Sequence, residues 1–326
     1  MFSSLHTSRR ESCHLSSLEP SPLDGTDVAI AVRAQGAGPL NNVARYISLT
    51  KPRVLAGNVL TTIAGFALAS AGVFDFAALG WVTLGTTLVI AAACVVNNIL
   101  DRDIDQSMAR TKKRVSVTGA ISARAATIFA ILLGVSGLLV LLFLSSPLVA
   151  AIGVAGFLVY VVLYGMWTKR MSVHGTLVGS ISGAIPVLAG YVAVTGAFDG
   201  TALIAFLMMF LWQEPEFYSI AIYRRDEYKA AGVPVISVSR GIEHTKRQIL
   251  LYTVLFAASA LALPLFGGVG ITYTVVMGIV SLVWIVIAIR GLRATDDAQW
   301  ARGNFRYSLW VVLIMCAMFA IGPVLP

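Results

Sequence analysis

Nine stretches of about 20 mostly apolar residues recur from near residue 54 to the C-terminus, and this repetition limits the possible folds more than any other feature. A helix needs about 20 such residues to cross the hydrocarbon of a bilayer. The runs lie near 54–72, 76–98, 124–144, 147–167, 174–194, 201–222, 248–266, 271–289 and 306–325. Turn-like breaks part several of them, among them "AGVFDF", "LSSP", "TGAFDG" and "FGGVGI". Composition agrees: 57% of residues are hydrophobic and only 12% charged, with a mean hydropathy of +0.82, far from a soluble domain. The expected fold is all-α and polytopic. Residues 40–326 form one membrane domain of nine transmembrane helices around a central cavity open to the cytoplasmic side.

Residues 1–39 are Ser-rich, polar and poor in aromatic side chains, so they bury too little surface to offset ordering. A disordered cytoplasmic tail is expected there. Its "TSRRES" precedes no apolar stretch of a signal peptide, and no cleaved targeting segment is read.

The charges fix an orientation. Of the 24 Lys and Arg, six precede the first run, six fall between the second and third, two between the fourth and fifth, six between the sixth and seventh, and four between the eighth and ninth. The opposite face holds Asp75 and Asp199 and no base. By the positive-inside rule the N-terminus and every basic loop face the cytoplasm. The net charge of +8 therefore reflects topology and contact with anionic membrane lipid, not nucleic acid. Cys13, Cys94 and Cys316 are too scattered for a disulfide framework or a zinc site. A transporter usually places ionisable residues near the bilayer midplane. Here the polar clusters gather at or just inside the cytoplasmic ends, which disfavours that class.

The densest cluster is "NNILDRDIDQSMARTKKR", residues 97–114, directly after an apolar run. Asn97, Asp101 and Asp105 are spaced i, i+4, i+8, which places all three on one helical face. Carboxylates so close to hydrocarbon are costly without a counter-charge, and the helix C-terminus adds partial negative charge. Mg²⁺ fits, because it takes oxygen ligands and completes its shell with water and substrate phosphates. Lys112, Lys113 and Arg114 follow closely enough to neutralise the rest of a diphosphate.

A second cluster, "LWQEPEFYSIAIYRRDEYKAAGVPV", spans 211–235. Glu214 and Glu216 flank Pro215 in the last turns of the sixth run, and Tyr223, Arg224, Arg225, Asp226 and Glu227 follow at its exit. Two acidic patches suited to metal, above apolar walls, suit an allylic diphosphate whose tail lies among the helices. Breaking its C–O bond would leave an allyl cation for a nearby π-bond to trap. The expectation is a prenyl-transferring enzyme.

These residues resemble the NxxxDxxxD signature of the UbiA-type membrane prenyltransferases, in their protohaem IX farnesyltransferase (haem O synthase) branch. The likeness extends through "TKPR" (50–53), "YGMWTKRMSVHGTLVGSISGAIPVLAGYVAVTG" (164–196), the second cluster and "WARGNFRYSLW" (300–310). The resemblance implies nine helices, Mg²⁺, farnesyl diphosphate, and transfer of the farnesyl group to a vinyl of haem b with addition of water. It implies Asn97, Asp101, Asp105 and Glu216 at the metal, with Asp226 also catalytic. It implies Lys112, Lys113, Arg114, Tyr223 and Arg224 at the diphosphate. A haem A synthase is a candidate partner, and the inner membrane the expected location. Many members of the branch read W-Q-x-P-H where this chain has Glu216, and "PP" where it has Pro186-Val187. His174 and His244 remain as candidate haem contacts. An aromatic polyprenyltransferase of quinone or chlorophyll biosynthesis is the alternative within the class.

Overall fold

The structure is a computed structural model and describes residues 39–108 and 110–326. The expectation of a disordered tail falls, up to residue 38, outside the described residues. Every regular element among them is helical: α1 (Pro39–Leu49), α2 (Pro52–Ser70), α3 (Phe76–Leu100), α4 (Arg102–Ser107), α5 (Val115–Thr118), α6 (Ala123–Leu144), α7 (Pro147–Met171), α8 (Gly175–Thr195) and α9 (Gly200–Tyr223), followed by α10 (Arg225–Ala230), α11 (Ile236–Ser239), α12 (Ile242–Phe266), α13 (Ile271–Gly291) and α14 (Asp297–Val324). Residues 44–326 pack as one unit.

Among the described residues eight helices are long and apolar enough to cross a membrane: α2, α3, α6, α7, α8, α12, α13 and α14. The chain is a multi-pass membrane protein. The expected ninth, α9, is 24 residues long, but Gln213, Glu214 and Glu216 break its apolar stretch.

Local chemistry sets the helix starts. Asp75 accepts from the backbone N–H groups of Ala77 and Ala78, and Asp199 from that of Ala202. The two aspartates that mark the base-free face are thus N-caps, each satisfying amides a helix start leaves open. Ser122 and Ser146 cap α6 and α7 in the same way, the latter with Pro147 in the first turn.

The bundle closes around α8 and α9. α8 packs against α2, α7 and α9, while α9 packs against α12 and α14, and α14 returns to α2. The contact between α2 and α8 is close enough to require glycine: a Cβ on Gly65 would lie 2.0 Å from the Val187 carbonyl oxygen, and one on Gly190 2.0 Å from that of Thr62. The main core gathers Phe66, Met208, Trp212, Phe256, Trp284 and Phe319. Outward faces carry exposed Ile128, Ile131 and Leu132 on α6 and Ile279 and Leu282 on α13, as lipid contact demands.

Candidate active site

α3 ends at Leu100, yet the helical spacing runs on through the junction. The Asp101 N–H donates to the Asn97 carbonyl at 2.9 Å and the Asp105 N–H to the Asp101 carbonyl at 2.8 Å. The i, i+4, i+8 relation is therefore preserved across two helices. Asn97, Asp101 and Asp105 are 2%, 2% and 4% exposed, whereas Arg102 and Asp103 between them face outward. One stripe is buried and the other is not, as the spacing requires.

Each buried carboxylate meets a cation. Arg114 Nη1 donates to Asp105 Oδ2 at 2.6 Å. Lys169, from the end of α7, pairs with Asp101 Oδ2. Lys51, between α1 and α2, donates to Asn97 Oδ1 at 2.5 Å. Among the described residues, Asp101 Oδ1 and Asn97 Nδ2 stay buried without a partner. On the outer stripe Arg170 grips Asp103 with both ends of its fork, at 2.6 and 2.7 Å. That hydrogen bonding holds the Asp103 carboxyl well below the usual carboxylate range.

Two backbone departures aim these lysines. Lys51 takes a left-handed conformation, φ 55°, directly before Pro52. A non-glycine residue held there costs about 1–3 kcal/mol, a cost met mainly at functional sites. α7 is π-helical over Val159–Thr168, a wider winding found often at such sites. It carries Tyr164, whose ring lies 5.7 Å from Lys169 Nζ, and delivers Lys169 to Asp101.

The second cluster splits in two. At the end of α9 the Tyr223 ring lies between Arg224 (5.5 Å) and Arg302 (5.8 Å), with Phe305 edge-on. Arg224 binds both oxygens of Glu227 at 2.9 and 3.2 Å. Asp226 is exposed on α10, so Asp226 and Glu227 sit on a short helix and not in a loop. Tyr228, on the same short helix, joins this end to the first cluster. Burial pushes its phenol up, the Tyr164 phenol adds to this, and Arg110, Lys169 and Arg224 pull it back.

Deeper in α9, Glu214 is fully enclosed and Glu216 half-buried. Gln213 Nε2 donates to the carbonyls of Ser180 on α8 (3.1 Å) and Met209 (2.9 Å). The "WARGNFRYSLW" stretch acts here as a brace. Asn304 donates to Ser219 Oγ at 2.8 Å and accepts from Trp284 Nε1 at 3.0 Å, and the Ser308 carbonyl accepts from Trp212 Nε1 at 2.7 Å.

The structure thus brings Asn97, Asp101, Asp105 and Arg114 together. Lys112 and Lys113 are exposed in the turn before α5. His174 is exposed at the start of α8, and His244 half-buried in the first turn of α12. Among the described residues no three His, Cys, Asp or Glu side chains converge as a metal cage, so Glu216 does not join Asp101 and Asp105 in one. Sequence reasoning passed over Lys51 and Lys169, although both stand in quoted stretches at the basic ends of apolar runs. A groove of about 430 Å³ between α13 and α14 shares no lining residue with the carboxylates.

A protoheme IX farnesyltransferase of Klebsiella pneumoniae subsp. pneumoniae is 45% identical over 282 residues, covering 86% of this chain and 96% of its own. Among solved structures, one concerning digeranylgeranylglyceryl phosphate synthase in membranes superposes with a TM-score of 0.74 at 20% identity, covering 86% of this chain and 98% of the other. A UbiA homolog from Archaeoglobus fulgidus bound to DMAPP and Mg²⁺ superposes with a TM-score of 0.62 at 16% identity, covering 83% and 99%. The family described as UbiA prenyltransferase matches residues 58–320, and the chain belongs to it.

Proposed function

We propose that this chain transfers a farnesyl group from farnesyl diphosphate to a vinyl group of haem b, with addition of water, to give haem O. The observation that carries this is the buried pair Asp101 and Asp105, each neutralised by a cation, with one Asp101 oxygen still unpartnered among the described residues. Farnesyl and protohaem as donor and acceptor are supported by the name and 45% identity of the Klebsiella relative.

Mg²⁺ fits the donor set. It binds through one or two carboxylates and lets phosphates and water complete its shell, and a free buried Asp101 oxygen beside Asp105 offers that much and no more. Asp101 and Asp105 would hold the ion, with Asn97, whose oxygen also accepts from Lys51, on the same face beside them. The A. fulgidus homolog bound to DMAPP and Mg²⁺ supports the same pairing of metal and diphosphate. A bound Mg²⁺ supplies Lewis-acid stabilisation of the departing diphosphate.

The chain's own residues do the rest. Lys51, Lys169 and Arg114 bring positive charge to the same end, where the leaving group's charge develops. The apolar helices beneath hold the isoprenoid tail and exclude water from the cation. In this reading α9 is the ninth span, and the basic loops put the Asp101 end on the cytoplasmic side of the inner membrane.

Membranes carrying the protein are incubated with haem b, Mg²⁺ and isoprenyl diphosphates of differing length, and the haem is analysed by mass. A gain of one farnesyl plus one water is expected. Unmodified haem beside a prenylated phenol would select an aromatic acceptor instead.

A further inference from the structure

Two buried polar groups on facing helices find no partner within hydrogen-bond distance among the described residues and have no task in that reaction. Glu214 of α9 is 0% exposed, and among the described residues neither carboxyl oxygen finds a hydrogen-bond partner. Ser180 of α8 is equally enclosed, and its hydroxyl likewise finds no partner within hydrogen-bond distance among the described residues. They are neighbours: the Gln213 amide next to Glu214 donates to the Ser180 carbonyl. The hydroxyls of Ser180 and Tyr218 lie alongside the Glu214 carboxyl. An ionisable side chain inside a membrane is costly, and such groups face a functional interior. Paired orphans of this kind mark a place that a small polar molecule completes.

Their position relative to the carboxylates is informative. Ser180 lies five residues, about 8 Å of helix rise, inside the start of α8. Glu214 lies nine residues, about 14 Å, inside the end of α9. Beside Ser180, Gly179 faces the Tyr164 ring, where a Cβ would stand 3.2 Å away. Tyr164 in turn neighbours Lys169, the partner of Asp101. The Tyr164 side chain therefore stands between Gly179, next to Ser180 in sequence, and Lys169 at the diphosphate end, and the pair lies on the bilayer side.

Trapping the farnesyl cation does not end the reaction. The terminal carbon of the vinyl group forms the new C–C bond with C1 of the farnesyl chain, and the positive charge moves to the vinyl carbon attached to the pyrrole. Water then forms a C–O bond to that carbon, and one of its protons must leave. We propose that Ser180 and Glu214 hold this water, and that the Glu214 carboxylate takes the proton. The inference rests on haem b as the acceptor. Tyr218 lies beside the carboxyl, and Gln213 ties this turn of α9 to the Ser180 backbone.

The test is Glu214→Gln in the full-length protein in membranes, with haem products resolved by mass and diphosphate release measured in parallel. Without the proton acceptor the charge leaves by loss of a proton from the new chain to the released diphosphate, giving a farnesylated haem one water lighter. The hydrated product is expected to fall roughly a hundredfold, the range of general-base contributions, while diphosphate release persists. Hydrated product at the wild-type rate overturns the inference, as does joint loss of both products and of diphosphate release in a folded variant. Should Glu214→Gln fail to fold, Ser180→Ala decides: a raised share of the unhydrated product supports the water site, and a wild-type ratio overturns it. A wild-type chain that prenylates a phenol and leaves haem unchanged overturns the haem reading itself.

Discussion

Lys51, held left-handed before Pro52, places its ammonium 2.5 Å from the side-chain oxygen of Asn97, 46 residues further along the chain. A flexible side chain is thereby fixed against the buried stripe from a strained backbone position. Burial pulls the Lys51 ammonium down to about 8.

The sign of the resulting pH effect follows. Lys51 is charged below pH 8 and loses its proton as the pH rises through about 8, so affinity for a diphosphate should fall across that step. Inorganic diphosphate binding, followed by calorimetry from pH 6.5 to 9.5, checks this. Lys51→Met should weaken binding at pH 7 and flatten the step. Linkage runs the other way for folding: the unfolded lysine, near 10.5, binds the proton more tightly, so stability rises between about 8 and 10.5.

Lys169→Met leaves Asp101 buried and unpaired. Breaking such a pair costs on the order of 3 kcal/mol, seen as a lower thermal midpoint in detergent. Adding Asp101→Asn to Lys169→Met should restore most of that stability without restoring turnover, because the neutral amide needs no counter-charge.

Gly190→Val tests the close packing of α2 and α8. Its Cβ would meet the backbone oxygen of Thr62 at 2.0 Å, and a backbone atom cannot step aside as a side-chain tip can. Separation of the two helices is expected, with a loss of about 1–3 kcal/mol or more. A thermal midpoint equal to that of the wild type would mean the helices are further apart than described.

Asn304→Leu removes the brace between α9, α13 and α14. Trp284 Nε1 would lose its acceptor inside the bundle, while Ser219 Oγ would lose the Asn304 donor and keep its own bond to the Pro215 carbonyl. A buried group left unsatisfied costs about 1–3 kcal/mol. Stability should fall more than for Asn304→Ser, which keeps a polar atom near both groups.

Much of this architecture is legible in the sequence because it is local. The apolar runs, the turn-like breaks that hold Asp75 and Asp199, and the shared face of Asn97, Asp101 and Asp105 depend on spacing along one stretch of chain. The cations depend on tertiary packing. Lys112 and Lys113 follow the aspartates closely in sequence yet face outward, while Lys51 reaches Asn97 from 46 residues away and Lys169 reaches Asp101 from 68. Their place at basic helix ends was visible; their targets were not. Glu214 and Glu216 looked equivalent on either side of Pro215, but a helix turns about 100° per residue, and only Glu214 points fully into the bundle.

Asp101→Asn provides the most direct measurement. Magnesium-dependent release of diphosphate from farnesyl diphosphate in the presence of haem b is compared between wild type and variant, with the thermal midpoint as a check on folding. A folded variant whose release falls by roughly a hundredfold or more is predicted. A variant that turns over like the wild type would contradict the assignment of the buried carboxylates to the metal and diphosphate.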